Sequence, residues 1–145
     1  MNKHTIIILL ITFLFNPFFG SSTAWSHGVE NNAYTYIISP ENGSTVYSPV
    51  TIKFGIKNFK IAPVGQDIHN SGHYHLIIDQ ASELSMDDPI PYDEHHRHLD
   101  KGESEITLPL SPGRHTLQVV VGDEEHEPFE QLVSEKIAIN VISNK

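Results

Sequence analysis

Val50-Thr51-Ile52-Lys53-Phe54-Gly55-Ile56 sets an apolar residue at every second position, with Thr, Lys and Gly between. Successive side chains of an extended chain point to opposite faces, so a period of two marks a strand with one face in a core and the other towards water. The same signature surrounds it. Tyr34-Thr35-Tyr36-Ile37-Ile38-Ser39 is a β-branched and aromatic run stopped by the turn residues Pro40-Glu41-Asn42-Gly43, and residues 46–49 lead into the alternating stretch. Over residues 73–79, Tyr74, Leu76 and Ile78 share one face while His73, His75, Ile77 and Asp79 share the other. Residues 105–110 close at Ser111-Pro112-Gly113. Residues 115–121 alternate through Leu117, Val119 and Val121, and residues 135–142 through Ile137, Ile139 and Val141. No stretch carries a helical stripe and none repeats. Six or more short strands in about 110 residues predict an all-β domain, an immunoglobulin-like antiparallel β-sandwich.

One segment breaks that rhythm. Residues 80–104 form a 25-residue connection with two prolines, several acids and three histidines. Structureless connections of this length are uncommon in compact domains and are usually functional or disordered. Its His-rich content favours function over a flexible surface insertion.

The N-terminus reads as a targeting segment. Lys3 and His4 precede the apolar run 6–15, then Asn16-Pro17-Phe18-Phe19 and the small residues Gly20-Ser21-Ser22-Thr23-Ala24. The run is short and interrupted for a bilayer span, so residues 1–26 are expected to be a signal peptide, with no integral span after cleavage. Residues 27–33 follow as a flexible lead-in, and 34–143 as one β-sandwich domain. The expected location is the periplasm or the exterior. A cut before His27 would leave an amine and an imidazole together at the mature terminus. The chain has no Cys, which excludes lipid attachment through a thioether and leaves stability to the core alone. A formal charge of -9 argues against nucleic acid and anionic membranes and is compatible with cations.

The histidines carry the chemistry. Eight of the ten lie between His69 and His126, bunched as His73-Tyr74-His75 and His95-His96-Arg97-His98. Imidazole is the commonest metal-ligating side chain at neutral pH, and without Cys the available donors are nitrogen and oxygen. His73 and His75, two apart on a strand, project from one face about 7 Å apart along the backbone. If the long loop folds back over them, His98, with His96 second in rank, supplies a further nitrogen. His126, in an acidic turn, either ligates or belongs to a solvated hairpin. His115 shares a face with Leu117, Val119 and Val121, so a hydrogen-bonded structural role is at least as good a reading as ligation. Asp93 and Glu94 are either acceptors that orient a His ring or solvated charge. There is no Gly-rich phosphate cradle and no Ser nucleophile beside a base.

The order Gly72-His73-Tyr74-His75-Leu76-Ile77-Ile78-Asp79, then His95-His96-Arg97-His98-Leu99-Asp100-Lys101-Gly102-Glu103-Ser104-Glu105, resembles the exported bacterial family known as domain of unknown function 4399. Leu110-Ser111-Pro112-Gly113-Arg114-His115-Thr116-Leu117-Gln118 and Gly122-Asp123-Glu124-Glu125-His126-Glu127-Pro128 continue the pattern, so the similarity runs from about Tyr36 to Val141. That family carries Gly-His-His-His at the third strand and a second late His. Here Tyr74 and Phe129 stand at those places, outside any shared ligand set. His73, His75, His98, His115 and His126 are the matches. The resemblance implies a secreted β-sandwich and supplies no established activity.

The expectation is a non-catalytic exported domain that binds copper or zinc through His73, His75, His98, His96 and His126. Two alternatives stay open: a three-His zinc hydrolase, for which Asp79 or Glu105 are nominal bases, and a structural envelope or adhesion module without metal.

Overall fold

The strand that bears His73 and His75 is buried on both of its faces, and the architecture shows how. The structure, a computed structural model, describes residues 29–66 and 68–143. They form ten strands: β1 (Tyr34–Ser39), β2 (Thr45–Tyr47), β3 (Val50–Lys57), β4 (Lys60–Ile61), β5 (Ser71–Ile78), β6 (His96–Leu99), β7 (Glu105–Leu108), β8 (Gly113–Gly122), β9 (Pro128–Val133) and β10 (Ile137–Ile142). Among the described residues there is no helix, and so none long and apolar enough to cross a membrane. The expected signal peptide lies outside the described residues.

Two sheets make the fold. The smaller runs β1-β3-β7, antiparallel throughout. The larger runs β2-β10-β8-β5-β4, with β6 also pairing β5 and β9 also pairing β8. Its pairings are antiparallel except for two short parallel ones, β2 with β10 and β4 with β5. The chain is therefore all-β, and consistent with the immunoglobulin-like sandwich that the alternation predicts.

Alternation explains the core. Val50, Ile52 and Phe54 of β3 meet Tyr74, Leu76 and Ile78 of β5 and Leu117, Val119 and Val121 of β8 in one apolar cluster, completed by Leu132, Ile139 and Val141. Phe54 and Tyr74 touch across the sheets with ring centroids 5.2 Å apart. Val29 and Ala33 also pack on this cluster, so the described part of the expected lead-in is seated on the domain.

The long connection is structured. It contains β6, which pairs with β5 so that His98 stands opposite His75 and His96 opposite Ile77. Before β6 the chain crosses the outer face of the larger sheet, where Ile90 packs on Ile77 and Val120 with Leu84 and Val133 beside them. This second, small apolar cluster roofs the face that carries His73 and His75. Neither β6 nor β9 shows a clear apolar alternation in sequence: β6 carries two histidines and an arginine, and β9 commits Leu132, with the partly buried Phe129, to the main core.

Removing a fully buried side chain at the centre of this core leaves a cavity as well as lost transfer energy. Leu76→Ala should destabilise the domain by about 2–5 kcal/mol, read as a lowered urea midpoint with unchanged slope.

Candidate metal centre

Four imidazoles meet on the roofed face. His73 and His75 come from β5, His98 from β6 and His126 from the turn between β8 and β9. One ring nitrogen from each lies within 4.8 Å of those of the others. Ring centroids are 4.3 Å apart for His73 and His75, 4.4 Å for His75 and His98, 4.8 Å for His73 and His126, and 4.9 Å for His98 and His126. Two neighbours on a strand face are about 7 Å apart along the backbone, so the rings of His73 and His75 lean together. Both residues are buried, at 1 % and 0 % exposure.

Backbone geometry makes room for them. Gly122 lies opposite His73 on β8, and a Cβ there would come 2.8 Å from His75 Cε1. A Cβ on Gly72 would sit 2.4 Å from the Gly122 carbonyl. Asp123 Oδ1 accepts the amides of Glu125 and Glu127 at 2.9 Å, closing a turn in which His126 adopts a positive φ of 69°.

A fifth donor joins the four rings, and the histidine pattern gave no hint of it. Asp100 Oδ1 lies 3.7 Å from His73 Nε2, 3.9 Å from His126 Nε2 and 4.0 Å from His98 Nδ1. Three consecutive residues of the long connection orient this group. The Ile90 amide donates to the His126 carbonyl at 2.9 Å. The Pro91 carbonyl accepts from His98 Nε2 at 2.7 Å. The Tyr92 hydroxyl donates to Asp100 Oδ2 at 2.6 Å, while its ring stacks on His98 at 3.5 Å.

The Pro91 contact fixes the His98 proton. A carbonyl can only accept, so His98 Nε2 carries the hydrogen and Nδ1 turns a lone pair inwards. Asp100 Oδ1 is likewise an acceptor. The inward atoms His73 Nε2, His98 Nδ1, His126 Nε2 and Asp100 Oδ1, with both ring nitrogens of His75, are buried and make no hydrogen bond among the described residues. His98 Nδ1 and Asp100 Oδ1 are thus two acceptors facing one another at 4.0 Å.

Burial first, then the neighbouring His126, pushes the His73 imidazole down to about 4. Burial, then His73 and His98, pushes His75 down to about 2. His98 is lowered as well, burial outweighing its bond to Pro91. At neutral pH these rings are uncharged and their lone pairs are free, the state that metal ligation needs.

The other histidines stand apart from this centre. His96 shares the face of β6 with His98, yet both its nitrogens are engaged, Nδ1 with Asp93 Oδ1 at 2.6 Å and Nε2 with Gln80 Oε1 at 3.0 Å. The structure thus leaves His96, ranked second to His98 as a loop donor, outside the group, with Asp93 as its orienting partner. His115 has Nδ1 2.6 Å from Asp79 Oδ2 and Nε2 2.7 Å from the Ser111 carbonyl. It is a satisfied structural histidine. Burial lowers its affinity for a proton, but the bonds to Ser111 and Asp79 outweigh that and raise it. Glu105, a nominal base in the hydrolase alternative, pairs with Lys53 at 3.3 Å on the surface.

The sequence profile of the family described as domain of unknown function (DUF4399) matches residues 52–142. The chain belongs to that family. No curated protein and no solved structure matches it. The DUF4399 segment contains every member of the centre, from His73 on β5 to His126, together with Ile90, Pro91 and Tyr92.

Two opposed pH dependences follow. An unfolded histidine titrates near 6.5, so the depressed His73 and His75 contribute stability that is present above that value and lost as pH falls through about 4 and then about 2. His115, raised in the fold, contributes stability that is full below about 6.5 and lost as pH rises through its folded value. The metal-free domain should therefore show its highest urea midpoint near neutral pH, with a fall from 6.5 towards 4 that His73→Asn reduces. A midpoint unchanged over that interval would contradict the assignment of neutral rings. Gly122→Ala, whose Cβ would crowd the His75 ring, should destabilise the domain by about 1–3 kcal/mol, read as a lowered urea midpoint.

Proposed function

We propose that this protein is a metal-binding domain that holds one divalent transition-metal ion, copper or zinc, through His73, His75, His98 and His126, with Asp100 as a fifth donor. One observation carries the reading: buried ring nitrogens from remote parts of the chain, with a carboxylate oxygen, meet at a common point without a hydrogen-bond partner among the described residues. Each buried polar group left without a partner costs about 1–3 kcal/mol. A cation at their centre cancels that cost for all of them at once.

The donor set suits a particular ion class. Imidazole favours zinc, copper, iron and nickel, and nitrogen sites in general bind copper(II) most tightly of the divalent series. Zinc in structural sites takes four ligands, usually with sulfur among them. Four nitrogens and one carboxylate oxygen, without sulfur, favour copper(II) over zinc. The supporting bonds from Pro91 to His98 and from Tyr92 to Asp100 are the contacts that fix the tautomer and orientation of a metal ligand. Binding, rather than hydrolysis, is the reading adopted, because the groups around the centre are donors and none is a free base beside it. The export destination belongs to this reading and rests on the N-terminal apolar run alone.

Chelator-stripped protein without an affinity tag, titrated with copper(II) and with zinc by calorimetry and checked by elemental analysis, should bind one ion per chain, copper the tighter. At a free metal concentration of 100 times Kd the thermal midpoint should rise by an amount equivalent to about 2.7 kcal/mol. His75→Ala should lose far more affinity than His96→Gln, which should bind as the parent does. Absence of heat, of stoichiometric metal and of thermal protection with both ions would remove the proposal.

A further inference from the structure

The five donors are unequal in their relation to solvent. The side chains of His73 and His98 are 1 % exposed and that of His126 is 21 % exposed, whereas Asp100 shows 43 % of its side chain to water. Yet Asp100 Oδ1 is itself buried and points inwards. The carboxylate therefore stands in the mouth of the centre like a stopper, one oxygen inside and the rest of the group outside.

The elements that carry the donors differ in the same sense. His73, His75 and His98 sit on paired strands β5 and β6, in cross-strand register. Asp100 sits in the turn after β6, where Gly102 takes a positive φ of 76° and its amide donates to the Leu99 carbonyl. The three strand imidazoles are held by burial and by sheet pairing, and His126 sits in the turn between β8 and β9, less exposed than Asp100. The Asp100 carboxylate can leave by rotating its own side chain, and Oδ2 already has an outer partner in the Tyr92 hydroxyl.

We infer that the Asp100 position is an exchangeable coordination site, at which a small monodentate anion replaces the carboxylate on the bound metal. The inference rests on the metal-binding reading above. Charge selects the ligand class. Four neutral imidazoles leave a divalent ion with its full charge in a low-dielectric pocket, where charges are costly unless paired. An incoming mononegative anion restores the balance that the departing carboxylate removes: the bond from the metal to Asp100 Oδ1 breaks, a bond to the anion forms, and the carboxylate turns outwards as a solvated anion. A neutral or bulky ligand does neither, since the mouth is bounded by the Tyr92 ring stacked on His98 and by His126, 5.6 Å from Tyr92 between ring centroids.

The test uses azide as the probe on copper(II)-loaded protein, followed by the azide-to-copper charge-transfer absorption and by electron paramagnetic resonance. The parent protein should give a saturable signal with copper retained. Asp100→Ala removes the internal competitor. If the carboxylate holds the position nine-tenths of the time, azide affinity should rise about tenfold, since apparent affinity scales with the fraction of competent sites. Asp100→Asn, which keeps the shape, should move the same way, and Tyr92→Phe should shift azide affinity while leaving copper stoichiometry at one. Should the parent and both Asp100 variants hold copper one to one and bind azide equally or not at all, the exchange site is overturned and the metal reading stands. Azide that strips the copper overturns it too. Failure of the parent to bind copper or zinc overturns both.

Discussion

A buried polar atom without a hydrogen-bond partner costs free energy, and this fold gathers six of them, from four imidazoles and one carboxylate, at a single point. The Pro91 carbonyl fixes the His98 tautomer, which leaves Nδ1 as an acceptor 4.0 Å from the acceptor Asp100 Oδ1. Neutral rings of His73 and His75 complete the group, His73 kept neutral by burial and by His126, His75 by burial and by His73. In water this arrangement would cost little. Beneath the roof made by residues 80–95 the same arrangement is costly unless its atoms are paired, which is what the proposed cation would do.

The sandwich serves that centre by burying β5 twice. Its inner face, Tyr74, Leu76 and Ile78, lies in the main core; its outer face passes from the imidazoles of His73 and His75 to Ile77, which anchors the small cluster with Ile90 and Val120. The long connection is thus part of the architecture and not an appendage. Its apolar residue Ile90 pins it to the sheet, and the two residues that follow hold His98 and Asp100 in place. Packing and ligand orientation are consecutive in the chain, so disturbance of one reaches the other directly.

Charge is managed by keeping the two kinds of histidine separate. His115, between Asp79 and Ser111, favours its proton and ties the end of β5 to the start of β8. His96 is occupied by Asp93 and Gln80. Each has acceptors on both ring nitrogens, whereas His73, His75 and His126 reach the centre without such partners. A partner on both ring nitrogens, where His98 has one on Nε2 alone, is what distinguishes a structural histidine here from a ligand candidate.

Much of the fold was legible from local pattern alone. The alternation at 50–56, 73–79 and 115–121 is enough to name β3, β5 and β8 and the face each turns to the core, because side-chain direction along a strand depends only on parity. The pair His73 and His75 was legible for the same reason. Parity could not separate His96 from His98, which share a face of β6; only the positions of Asp93, Gln80 and Pro91 in space decide which ring is free. Nor could it reveal Asp100, a single acid among eighteen acidic residues, whose role depends on a turn delivering one oxygen to rings from three distant segments. Periodicity is a local property written in the chain, but the convergence of donors is a product of strand pairing and of the loop that closes over it.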